Sequence, residues 1–153
     1  MESLPIKRSK ALQPLSREHH YELLFCWKIR TGFKKNIDVS RIKKYADWFF
    51  KNRLIPHFSE EEAFVFPLLG KDHELVKKAL ADHRRLTRLF EDSLDIKKSL
   101  SLLEEELEKH IRFEERILFT EIQKAASEQN LDLIMKVLSE VGTEEEWDDE
   151  FWK

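Results

Sequence analysis

Apolar side chains recur along most of this chain in alternating steps of three and four, the period of a helix that buries one stripe and leaves the rest to water. Phe50, Leu54, His57, Glu61, Phe64 and Leu68 form one such series, and Leu103, Leu107, His110, Glu114 and Ile117 form a second. Val76, Ala79, His83, Leu86 and Phe90 form a third. Near the start two registers compete: Leu12, Leu15, His19, Leu23 and Cys26, or Ser16, His20, Leu23 or Leu24, and Trp27. The first begins with more apolar residues and favours His19 as the inward histidine, with His20 supporting it from behind or exposed. In every series a polar residue stands where packing would normally put leucine.

Local signals delimit the helices. Pro14 and Ser16 open the first, and Gly32 offers it a left-handed stop. The second follows the capping region Asp38 to Ser40 and runs to Phe66, where Pro67 and Gly70 end it; Pro56, inside it, predicts either a kink or a break beside His57. Asp72 is positioned to cap the third. The fourth runs from near Asp95 to about Ser127. A shorter amphipathic segment predicts a fifth helix over about 130–142, before an acidic, aromatic tail over 143–153. Four long helices with short connections predict an all-α, up-and-down four-helix bundle over about 15–127, with the short helix covering one end. No internal boundary divides residues 1–153, which read as a single domain.

Composition narrows the class. Three glycines and four prolines in 153 residues leave little room for the frequent turns of an all-β protein. The formal net charge of −3 mixes both signs, so neither a nucleic-acid nor a membrane partner is expected. No apolar run approaches a membrane span and no secretory signal is evident. The single cysteine, Cys26, excludes an intramolecular disulfide and fits a cytoplasmic location. Trp147, Phe151 and Trp152 allow two placements, folded back on the bundle or used for self-association; the identity of any protein partner stays open.

The chemistry lies in two pairs, His57 with Glu61 and His110 with Glu114. Residues four apart share a helix face, so each pair can direct an imidazole nitrogen and a carboxylate oxygen to one point. A buried, unpaired carboxylate costs several kcal/mol or more, so a core that keeps two of them needs cations. With His83 and His19 or His20, every long helix carries a histidine on or near its stripe, and the convergence points to a metal centre. These ligands suit zinc, iron, manganese or copper, and the lack of clustered cysteines argues against iron–sulfur and Cys-zinc sites. A ferritin-like site would instead need glutamate and histidine three apart.

The segments LSREHHYELL, HFSEEEAFVFPLL, DHRRLTRLF and HIRFEERILF resemble the hemerythrin-like, or HHE cation-binding, domains, over about Leu15 to Gln123. The resemblance implies an antiparallel four-helix bundle with a non-heme di-iron centre. Glu61 and Glu114 would be its bridges, and His19 (or His20), His57, His83 and His110 its terminal ligands; another divalent metal would fit the same donors. Oxygen-carrying hemerythrins have a further histidine where this chain has Thr87. One coordination position is therefore open, filled by water, or taken by Glu60, Glu22 or His73, and a simple reversible oxygen carrier is disfavoured. Read without the resemblance, His73, Glu60 and Glu62 are surface residues. The function expected is binding of, or reaction with, a small diatomic or peroxide species such as O2, NO or H2O2. The alternatives are an iron-responsive or iron-holding interaction module and a metal-free structural bundle.

Overall fold

The computed structural model describes residues 7–138 and 147–153, and among these the secondary structure is helical with no strand. Helix α1 spans Gln13–Lys34. It runs past Gly32, contrary to the expected stop, and the left-handed residue is Asn36, with φ of 56°. Gly32 is required for space instead: a Cβ there would lie 2.8 Å from the Phe151 ring and 2.9 Å from Ile42.

Helix α2, Val39–Phe49, starts where the Asp38 side chain accepts from the Ser40 N–H. The path stays helical through a π-helical turn, Phe50–Leu54, then α3, Ile55–Glu60, a second π-helical turn, Glu61–Val65, and a 3-10 turn, Phe66–Leu68. Pro56 does not break the chain's helical course; it stands at the start of α3, directly after the π-helical turn. Helix α4, Glu74–Glu91, is capped by His73 and not by Asp72: Leu75 N–H donates to His73 Nδ1 at 3.1 Å. Asp95 caps α5, Ile96–Phe113, which continues through a third π-helical turn, Glu114–Leu118, into α6, Phe119–Ala125. Helix α7, Glu128–Val137, opens on a Ser127–Asn130 capping box. The remainder of the expected fifth helix beyond residue 138, and the tail as far as residue 146, lie outside the described residues.

The π-helical turns correct the expected stripes. Each inserts the equivalent of one extra residue, which rotates everything beyond it. After Glu61 the buried residue is Val65, while Phe64 is 41% exposed; after Glu114 it is Leu118, while Ile117 is 49% exposed. On α1 the stripe also differs, since Glu22 is buried and Leu23 is 38% exposed.

Two apolar clusters result. One gathers Phe25, Ile29, Phe49, Phe90, Leu103 and their neighbours; the other gathers Leu12, Leu15, Val76, Phe119, Ile122 and theirs. Along α1 and α4 the second cluster comes first in sequence, and along the two other helical paths the first does. The four buried histidines, with Glu22, Glu61, Asp82 and Glu114, fall between the clusters along the four paths, and α5 packs against both α1 and α4. The C-terminal aromatics fold back on the first cluster. Phe151 is buried edge-on to Tyr45, Lys28 Nζ lies 4.1 Å from the Trp152 ring centre, and Arg41 pairs with Asp149 at 2.6 Å. Among the described residues no helix is long and apolar enough to cross a membrane.

Candidate metal centre

Four paths each bring an imidazole into the polar layer. His19 from α1, His57 from α3, His83 from α4 and His110 from α5 are at most 3% exposed, and Glu61 and Glu114 are fully buried. His20, one residue from His19 and so about 100° around the helix, is exposed and outside the layer. His19, His57, Glu61 and Glu114 form one group that could hold a metal ion; Glu61, His83, His110 and Glu114 form a second. The two groups share both glutamates.

The distances have the right scale. Donors bound to one ion at about 2.0–2.2 Å lie about 3.0–3.5 Å from one another. His57 Nε2 is 3.4 Å from Glu61 Oε2, and His83 Nε2 is 3.2 Å from Glu61 Oε1. Glu61 thus turns one oxygen to each group. Glu114 Oε1 lies 2.9 Å from His19 Nε2 and 3.4 Å from His110 Nε2. Two of the three π-helical turns start at Glu61 and Glu114 themselves. Each rotates the apolar residues beyond it without disturbing the histidine–glutamate spacing before it.

On three of the four histidines the opposite nitrogen is held by a carboxylate that sequence reasoning left out, while His57 Nδ1 has no partner. His19 Nδ1 is 3.0 Å from Glu115, His83 Nδ1 is 2.7 Å from Glu62, and His110 Nδ1 is 3.0 Å from Asp82. A carboxylate accepts only, so each Nδ1 carries the proton and each Nε2 is aimed inward, the arrangement that orients metal-binding histidines. Glu62 is exposed, as expected of a surface charge, and also orients His83. The available signal was the acidic doublets Glu61–Glu62 and Glu114–Glu115: on each, the first side chain turns inward and the second crosses to a histidine on another helix. Aromatic rings fix the imidazole planes further, Phe58 stacking on His83 at 3.7 Å and Phe119 on His19 at 5.4 Å.

Of Glu60, Glu22 and His73, the residues considered for the coordination position that Thr87 leaves open, only Glu22 enters the layer, and it lies beside His57. Glu60 is half-buried outside the metal-holding groups, and His73 is the exposed cap of α4. Thr87 turns its hydroxyl onto the His83 carbonyl at 2.8 Å. It also lines a surface groove of about 550 Å³, together with Ile55, Phe58, Leu80, Arg84 and His83.

Burial lowers the imidazole pKa values, but neighbouring carboxylates outweigh it. Glu22 and Glu61 raise His57 to about 9, and Glu114 with Asp82 raises His110 to about 10. Burial also pushes Glu114 upward, yet His110 and His19 hold it well below the usual carboxylate range. Without metal, protons serve as the counter-charges. Because the folded values of His57 and His110 exceed the ordinary 6.5, their stabilisation is fully present below pH 6.5 and is lost as pH rises through 9 to 10. The melting temperature of chelator-treated protein is therefore expected to fall between pH 7 and 10.5, with a shallower decline in His57→Gln. An ion occupying the site takes over from the protons, so metal-loaded protein should lack this component. A flat profile for the chelator-treated protein over that range contradicts the charge assignment.

Comparison with protein-family models, with curated proteins and with solved structures finds no match to this chain.

Proposed function

We propose that this chain is a hemerythrin-like protein: an antiparallel four-helix bundle whose non-heme di-iron centre binds or reacts with a small species such as O2, NO or peroxide. The observation that carries the reading is the set of buried polar atoms left without hydrogen-bond partners. They include both oxygens of Glu61, Glu114 Oε2, and Nε2 of His57, His83 and His110. Buried polar groups in native proteins are nearly always paired, and unpaired ones converging on one region fit coordinated cations. His19, His57, His83 and His110 would be terminal ligands, with Glu61 and Glu114 serving both ions. Imidazole and carboxylate donors suit iron, and manganese or zinc would fit them too. The alternating order of the two apolar clusters along the four paths supports the antiparallel arrangement.

When bound, the iron pair supplies electrons and coordination places for the small ligand. The chain's own residues orient and protect. Glu62, Glu115 and Asp82 hold the imidazoles, Phe58 and Phe119 cover them, and the apolar clusters keep bulk water from the layer. The groove beside His83 and Thr87 gives a small molecule an approach.

Stopped-flow spectra of reduced, iron-loaded protein mixed with O2 and with NO test the reading. New charge-transfer bands forming on mixing support it; slow oxidation without them favours an iron-holding module. Thr87→His, one turn after His83, should tighten metal binding and slow the appearance of those bands, since an added imidazole would occupy the approach to the centre. Thr87→Val keeps the shape without a donor and should change neither. Loss of metal in Thr87→Val places the threonine, or water that it holds, among the ligands and contradicts an open position on this side.

A further inference from the structure

The two candidate groups share Glu61 and Glu114, but a further buried carboxylate, Glu22, stands beside only one of them. Glu22 stands three residues after His19 on α1, is 1% exposed, and has no hydrogen-bond partner for either oxygen. Its Oε2 lies 3.5 Å from His57 Nε2, the separation of two donors that share an ion rather than of a formed hydrogen bond. The matching place on α4, three residues after His83, is Leu86, buried and apolar. Conversely, Asp82 holds Nδ1 of His110, whereas Nδ1 of His57 has no partner.

A third buried carboxylate close to Glu61 and Glu114 is repelled by both. Hydrogen bonding does not offset this, because neither oxygen has a partner. A cation at the His19 and His57 group offsets it directly. Three carboxylates against two divalent ions also leave a net charge of +1 in the layer, smaller than the +2 left by two, and a smaller buried charge needs less compensation.

We infer that Glu22 is a metal ligand of the His19 and His57 position, which makes the two ions inequivalent and leaves the His83 and His110 position, next to the groove at Thr87, as the one open to incoming small molecules. This rests on the metal-centre reading above. It places the carboxylate on the ion opposite the Thr87 gap, so the gap stays unfilled by protein donors.

Titration of the metal-free protein with zinc, following the ring nitrogens of the four histidines by NMR, tests it without any turnover. In the native chain the His19 and His57 signals should move before those of His83 and His110, because the first position has one donor more. In Glu22→Gln, which keeps the size and removes the charge, that lead should be lost, and affinity at the His19 and His57 position should fall by at least about tenfold. An unchanged order with affinities within about twofold overturns the assignment of Glu22 while leaving the centre intact. If zinc moves none of the four rings in the native chain, the metal centre itself is wrong.

Discussion

Glu61→Ala is expected to strip most of the bound metal from the protein, and Glu114→Ala to do the same. The reason is the sharing of these two residues. Glu61 Oε2 lies beside His57 while Glu61 Oε1 lies beside His83, and Glu114 Oε1 lies beside both His19 and His110. Alanine at either position removes a donor from both groups at once. Glu62→Ala and Glu115→Ala delete only the acceptors behind His83 and His19, and should lower affinity by about 10–100-fold while leaving two ions bound at saturating metal. Elemental analysis after gel filtration, with circular dichroism to show that each variant folds, separates the two classes. Full occupancy in Glu61→Ala would falsify the shared role.

Metal removal should lower the melting temperature substantially. Ions that bind only the folded chain stabilise it by RT ln(1 + [L]/Kd), and for a chain of this size the melting temperature shifts by about 2–4 °C per kcal/mol. At 100 to 1,000 times Kd the gain is about 2.7–4.1 kcal/mol, or about 5–16 °C. The polar layer is the reason to expect a weaker metal-free state: Glu22, Glu61, His57, His83 and His110 keep unpartnered atoms between two apolar clusters. Protons on the histidines balance charge there, but His57 Nε2 lies 3.4 Å from Glu61 and His110 Nε2 3.4 Å from Glu114, longer than ordinary hydrogen bonds. Equal melting temperatures for chelator-treated and metal-loaded protein would leave the centre without its main energetic support.

Helix content and the identity of the inward histidines were legible because they depend on local periodicity. His57, His83 and His110 interrupt apolar stripes, and His19 was preferred to His20 because its register carries more leucines. Each of these depends on residues three and four apart on one helix. The same rule failed beyond Glu61 and Glu114. A π-helical turn follows each of them, and a pattern rule that assumes a constant 3.6-residue period carries Phe64 and Ile117 inward where the chain turns Val65 and Leu118. It failed at Glu22 for a different reason, since hydrophobicity alone prefers Leu23 one position along.

The sequence by itself determined a helical chain with a histidine on each long path and a carboxylate four residues after two of them. Those features follow from side-chain chemistry and short-range spacing. Only the tertiary structure decided which carboxylates stand behind which imidazoles, because Glu62 with His83, Glu115 with His19 and Asp82 with His110 each join two different helices. It also decided that Glu22 faces His57 while Leu86, at the corresponding place on α4, is buried and apolar, and that Phe151 closes onto Gly32. Such pairings depend on how helices are rotated and shifted against one another. That choice is made by packing the two apolar clusters as a whole, and no single segment carries it.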